Sequence, residues 1–300
     1  MFFGISAMIL VGCTWTVSGY VMGKAPREKI EIPTLLTYAM GSALLLSCCI
    51  GLYQGLPQTT FRGLVIACSS QILSGFFNFF QLEWMSKAMQ KGHNGIVWSI
   101  IQAGFVFPFF MGIVFFGVPL TGIRLGAFAA ALLSVALFGI AQGSKSSHWL
   151  IPALGGFLMT GISQALSNLP SYFPEAEAVS SVWRTAALAC GFLLAICFYR
   201  IFQFKSFVQD VAHAFRQPGI WKYTGLMVGL ETLANYFLLF PGMDALSRAG
   251  AGAVAYPLMV SACLLAFDLF SLLWLKEKHR FIQWTALALC LAGVTGLSLG

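Results

Sequence analysis

Charge is scarce in this chain. Only 9% of its 300 residues are Asp, Glu, Lys or Arg, against roughly 25% in a soluble domain. Because 58% of the residues are hydrophobic, so few charges could not cover a water-facing surface, and lipid is the expected solvent. Negative charge is scarcer still, with 10 acidic residues against 17 basic ones and a formal net charge of +7. In so apolar a chain that excess reads as basic loops against an anionic membrane face, not as a nucleic-acid surface. The four His lie at or near expected loops, and no pair of them has metal spacing. The eight Cys (Cys13, Cys48, Cys49, Cys68, Cys190, Cys197, Cys263 and Cys290) sit in apolar runs without CxxC or Cys/His spacing. They read as small hydrophobes, and no metal or cofactor is expected. G-x-S-x-G, H-E-x-x-H and P-loop motifs are missing, so no enzyme is expected.

What the chain has is long apolar runs. A spanning helix needs roughly 20 such residues. Ten candidates are expected near 2–23, 34–53, 62–82, 93–116, 121–141, 149–169, 180–202, 219–240, 249–275 and 280–299. No short hydrophobic hairpin is left over for the re-entrant filter of a channel. Pro26, Pro33, Pro57, Pro119, Pro170, Pro174, Pro218 and Pro241 punctuate the links. The link near 203–218 places Phe204, Phe207, Val208, Val211 and Phe215 on one helical face. That spacing predicts a short amphipathic helix in the membrane interface.

The sequence also repeats. The segment from Asn78 (NFFQLEWMSKAMQKGHNGIVWSIIQAGFVFPFF) aligns without gaps on that from Asn235 (NYFLLFPGMDALSRAGAGAVAYPLMVSACLLAF), at an offset of 157 residues. Asn78 falls on Asn235, Phe80 on Phe237, Ala88 on Ala245 and Gly95 on Gly252. The same offset matches Gly4-Ile5-Ser6 to Gly161-Ile162-Ser163 and Leu132 to Leu289. We read this as a duplication, with halves 1–145 and 146–300 of five spans each. An odd unit enters the membrane from opposite sides in its two copies. The expected fold class is therefore an all-α membrane protein, ten transmembrane helices in a five-plus-five inverted-topology repeat. Many secondary transporters use that architecture, with the solute near the midplane.

Counting the links alternately by side puts 13 basic residues away from the termini: Lys24, Arg27, Lys29, Lys87, Lys91, Lys145, Arg200, Lys205, Arg216, Lys222, Lys276, Lys278 and Arg280. Only four, Arg62, Arg124, Arg184 and Arg248, share the side of the termini. The positive-inside rule then places both termini outside a cell (inner) membrane.

Segments 247–267 (SRAGAGAVAYPLMVSACLLAF) and 275–297 (LKEKHRFIQWTALALCLAGVTGL) resemble the last two helices of the drug/metabolite transporter superfamily, the ten-helix EamA-like proteins. MSKAMQKGHNGIVWSI at 85–100 and the basic KAPREK loop are similar to its rhamnose–proton symporter and glucose-uptake branch. The resemblance covers essentially the whole chain. It implies a secondary transporter of a small polar solute, a sugar-like metabolite by preference, moved by alternating access with protons. Export of amino acids, nucleobases or drugs is the other work of the superfamily. The partners so implied are a small-molecule solute, protons and membrane lipid, with no nucleic acid.

Polar groups in hydrocarbon are costly, so those inside spans should face the bundle interior. Glu231 is the clearest, and a carboxylate at that depth is the proton-coupling candidate; Asp268 is the second intramembrane acid. Asn235 lies one turn from Glu231, and the repeat matches them to Ser74 and Asn78, with Gln71 a further turn back. Trp98 with Gln102, Gln164 with Asn168, and Tyr256 beside Pro257 complete the candidate solute site, because aromatic faces and side-chain amides together suit a sugar ring. Trp15 is a weaker candidate.

Overall fold

The computed structural model describes residues 1–91, 94–141, 148–273 and 281–299. The expected boundary at 145/146 and the side chain of Asp268 lie outside the described residues. The fold is about 89% helical, with no strand among the described residues. In chain order the helices are α1 (Phe2–Lys24), α2 (Ile32–Gln54), α3 (Phe61–Lys91), α4 (Asn94–Gln102), α5 (Val106–Phe116), α6 (Gly122–Ala141), α7 (Leu150–Asn168), α8 (Pro174–Glu177), α9 (Ser181–Tyr199), α10 (Phe204–Ala214), α11 (Pro218–Leu226), α12 (Phe240–Arg248), α13 (Ala255–Leu273) and α14 (Phe281–Leu299).

Seven described helices are long and apolar enough to cross a membrane: Phe2–Glu28, Ile32–Gln54, Phe61–Lys91, Val97–Phe116, Leu150–Tyr172, Ser181–Tyr199 and Pro218–Arg248. Shorter apolar helices cover Gly122–Leu137, Gly252–Ala266 and Trp284–Leu297. The outer surface carries exposed Leu10, Leu45, Phe115, Ile151 and Leu194. Such a surface needs lipid, and the chain is a multi-pass all-α membrane protein.

Helix starts follow proline chemistry. Pro33, Pro174 and Pro218 sit in the first turns of α2, α8 and α11, where a missing N–H costs nothing. The expected span 93–116 corresponds to the apolar helix Val97–Phe116, which tightens to a 3₁₀ turn at Ala103–Phe105 between α4 and α5. Pro108 cannot donate to the carbonyl of Gly104, which accounts for the tightened turn before it.

Two expected ends are wrong. Span 62–82 runs on to Lys91, because Glu83 is buried and paired rather than a loop residue. Span 219–240 continues through Pro241 to Arg248. It does so by two π-helical segments, Met227–Thr232 and Asn235–Leu239. Their i→i+5 bonding suits a proline in the following turn, whose N–H is not needed.

The offset of 157 residues fits Phe61–Lys91 and Pro218–Arg248, whose first and last residues both differ by that number. It fails for the first two helices. Leu150 follows Phe2 by 148 residues, and Ser181 follows Ile32 by 149. The link before α11 (200–217) holds α10 and is longer than the link before α3 (55–60). α10 is the expected amphipathic helix: Phe207 is buried, Val208 is exposed, and the Tyr38 hydroxyl donates to the Val211 carbonyl.

α3 packs along α7 and α9, α1 along α13, α2 along α9, and α6 along α14. The α3–α9 crossing is close. A Cβ on Gly75 would lie 2.0 Å from the Leu188 carbonyl oxygen, and one on Gly191 would lie 1.9 Å from that of Ile72. Contacts sort the helix ends into two groups. Gly4 with Leu246, Arg62 with Glu175, Trp183 with Gly55, and Asn168 with Gly252 gather at the end holding Met1. Lys87 with Tyr199, Arg200 with Glu31, and Ile30 with Gly219 gather at the other.

Candidate binding cavity

A cavity of about 100 Å³ lies in the middle of the bundle. α1 supplies Trp15 and Ser18; α3 supplies Ser74, Asn78, Gln81 and Leu82; α4 supplies Trp98 and Gln102. α7 adds Ser163, Gln164 and Ser167, and α9 adds Thr185, Leu188 and Phe192. The π-helical stretch adds Glu231, Thr232, Asn235 and Leu239, and α13 adds Tyr256. A π turn is wider than an α turn and recurs at functional sites. Here it carries the cavity's one carboxylate and an amide one turn on.

Eight of the residues singled out from sequence therefore meet at one place: Ser74, Asn78, Trp98, Gln102, Gln164, Glu231, Asn235 and Tyr256. Trp15 joins them, its ring centroid 6.0 Å from that of Tyr256. Trp98 packs over Gly19, and its indole Nε1 is buried without a partner. The Tyr256 hydroxyl lies beside Ser167. The Ser18 hydroxyl donates to Oε1 of Glu231, so α1 meets the π segment across the cavity.

Two candidates are placed elsewhere. Gln71 is buried and donates from Nε2 to the Ser167 carbonyl at 2.9 Å. Asn168 donates to the Gly252 carbonyl at 3.1 Å and lies 3.4 Å from the Tyr172 hydroxyl. Both tie helices together beside the cavity rather than line it. Ser74 borders the cavity but is also matched across the α3–α7 contact, with its hydroxyl 2.9 Å from the Ser163 carbonyl and the Ser163 hydroxyl 3.0 Å from its own.

The amides behave differently. Asn78, Gln81, Gln102, Gln164 and Asn235 line the cavity, yet among the described residues their side chains make no hydrogen bond within the protein. Gln102 and Gln164 are only 2% and 4% exposed, and the Oε1 of each is buried without a partner; the Gln71 Oε1 and Asn168 Oδ1 are likewise unpartnered, but those two amides are held through their NH2 groups. A buried amide that serves only to hold a bundle finds a partner, since leaving one unmatched costs about 1–3 kcal/mol. Five unmatched amides around one space can bind a small molecule rich in hydroxyl or N–H groups. No Lys or Arg lines the space, so nothing there would offset the charge of an anion.

Sequence reasoning missed Ser18, Gln81, Ser163, Ser167, Thr185 and Thr232. It also missed a charged network at the end holding Met1. Arg184 is 1% exposed and donates to Asp244 at 2.9 Å and to the Glu177 and Ala176 carbonyls at 2.8 and 3.2 Å. Ser171 donates to the same Asp244 oxygen at 2.6 Å, and Arg248 meets Glu177 at 2.8 Å. Burial, together with the neighbouring Asp244 carboxylate, pushes the Glu177 carboxyl above the usual carboxylate range, against the pull of Arg248 and Arg184. At the opposite end Glu83 is buried between Lys87, 3.1 Å away, and the Tyr199 hydroxyl, 3.0 Å away.

No protein-family profile matches the chain, and no curated protein matches it. One solved structure, described only as the crystal structure of a protein, superposes on it with a TM-score of 0.64. The two are 14% identical, and the match covers 98% of this chain and 96% of the other. At that identity the likeness shows the fold alone. It extends over the whole helical bundle that surrounds the cavity.

Proposed function

We propose that the chain is a secondary transporter that carries a small, polar, sugar-like solute through the central cavity by alternating access, coupled to protons at Glu231. The observation that carries this reading is the ring of five cavity amides without protein partners. It is supported by the aromatic faces of Trp15, Trp98 and Tyr256, which suit one side of a sugar ring.

The ten-helix, five-plus-five inverted arrangement belongs to the same reading. Its support is that the packing pairs exchange when the halves are swapped in order. α1 on α13 answers α7 on α4 and α5, and α4 on α6 answers α13 on α14. α2 with α9 and α6 with α14 answer themselves. The drug/metabolite transporter likeness and a cell-membrane location with both termini outside rest on the sequence segments and the basic-residue asymmetry given above. Glu231 also favours a second reading, in which a cationic or amino-bearing solute pairs with that carboxylate and is exported.

A thermal-stability screen of the purified protein separates the two. Neutral sugars and polyols, amino acids, amines and nucleobases form its arms. A ligand at 100 times its Kd adds about 2.7 kcal/mol to apparent stability. The proposal expects a neutral sugar or polyol to stabilise the parent but neither Gln102→Ala nor Gln164→Ala. Equal stabilisation of parent and variants would place the ligand elsewhere, and stabilisation by amines alone would support the second reading.

A further inference from the structure

The charged network at the end holding Met1 sits directly over the cavity. Arg184 is followed by Thr185 and, one turn on, by Leu188, both of which line it. Asp244 lies just beyond Leu239, and Ser171 is one turn beyond Ser167. The network is also where two packed groups of helices meet. α12 is seated on α1 through Gly4, Met8, Gly242 and Leu246, while α9 is seated on α2 and α3. The π-helical stretch already meets α9 and α2 through Tyr236, which Ser181 and Ser47 contact; the Arg184–Asp244 pair joins α9 to α12 beyond that level, and the Ser171 hydroxyl adds the segment after α7.

We propose that this pair is a gate: the cavity opens toward the termini when Arg184 and Asp244 part, and is sealed on that side while they are joined. The proposal rests on the alternating-access reading. Three features favour a gate over a fixed brace. A buried ion pair is a poor source of net stability, because desolvation offsets most of the attraction. Its charges hydrate as they separate, so it can reopen to water, whereas a well-packed apolar plug cannot do so cheaply. Arg184 Nε is buried without a partner, so the guanidinium is not fully satisfied in the closed arrangement.

The opposite end differs. There the pairs Lys87–Glu83 and Arg200–Glu31 each keep one partner exposed by 44% or more. They border a cleft of about 300 Å³ that begins beside Glu83, one residue beyond the cavity-lining Leu82. Among the described residues, the ion pair with both partners buried, Arg184–Asp244, is therefore at the end holding Met1.

The test introduces a thiol below the gate, Thr185→Cys, and measures its rate of modification by a charged, membrane-impermeant thiol reagent. The reagent is applied from the side of the termini, which an N-terminal tag identifies, and the rate is corrected for the protein without the added thiol. Asp244→Asn should raise that rate about tenfold or more, equivalent to about 1.4 kcal/mol of gate closure. Asp244→Glu should stay near the parent. Ser171→Ala, which removes one hydrogen bond and leaves the pair, should raise the rate by a smaller factor and serves if Asp244→Asn does not fold. An unchanged rate in every folded variant would overturn the gate. Gated labelling in a protein that neither binds nor moves any solute would uphold the gate while removing the transport reading.

Discussion

The hydroxyl of Ser18 on α1 donates to the carboxylate of Glu231 on the π-helical stretch, joining two cavity-lining residues 213 apart in sequence. The contact gives Glu231 a polar partner that shares no charge with it. Among the cavity-lining residues no Lys or Arg pairs with this carboxylate. In the transporter reading proposed above, this carboxylate takes and releases a proton as the cavity faces one side and then the other.

Glu231→Gln should therefore keep solute binding and lose concentrative uptake driven by a pH difference, while exchange of solute for solute survives. The amide oxygen still accepts from Ser18, so the fold should hold. Uptake against a gradient by the variant, driven by pH alone, would remove Glu231 from coupling. Asp268→Asn should have the smaller effect.

The cavity amides and the bracing amides should separate in two measurements. Asn78→Ala and Gln102→Ala should weaken solute binding by about fivefold or more, as expected for a lost hydrogen bond of about 1 kcal/mol or above. Gln71→Ala should leave binding near the parent and lower the melting temperature, because its partner is the Ser167 carbonyl. Equal effects of all three on binding would mean that the partition into lining and bracing residues is wrong.

How much of this was legible in the sequence differs by level. The membrane class was readable because the scarcity of charge acts on every residue. Helical periodicity brought eight site residues to one cavity. Periodicity gives a face, however, and not what the face meets, so Gln71 and Asn168 shared a stripe with true lining residues yet pack against carbonyls of neighbouring helices. Gln81 and Ser18 left no signal, since one lies at the very end of an expected span and the other is a hydroxyl that any membrane helix tolerates. Span ends were misjudged at Glu83 and Pro241 because each was read as a link residue. A buried ion pair and a π turn, neither visible in a hydropathy pattern, let those helices continue.

The α3–α9 crossing should be intolerant of added bulk. Gly75→Ala and Gly191→Ala each drive a methyl group into a backbone carbonyl rather than a movable side chain. Each should lower stability by about 1–3 kcal/mol, read as a fall in melting temperature in detergent. A variant that melts with the parent would show that the helices separate freely at that crossing.

Glu177 lies between α7 and α9, outside the spanning helices, and its carboxyl is raised by burial and by Asp244. For an acid whose folded value is raised, the stabilising contribution is complete below the unfolded value and is lost as pH rises through the folded one. The melting temperature of Glu177→Gln relative to the parent should therefore be more favourable at pH 7 than at pH 4. The opposite trend would mean that Arg248 and Arg184 outweigh burial at this position.

Solute counterflow in reconstituted liposomes tests the central claim most directly. The probe is the compound that best stabilises the purified protein, loaded unlabelled inside at high concentration, with a trace of the labelled compound outside. The account predicts transient accumulation of label with no ion gradient present, carried equally by Glu231→Gln and strongly reduced in Gln102→Ala. Absence of counterflow with a ligand that binds the cavity, or counterflow unaffected by Gln102→Ala, would contradict it.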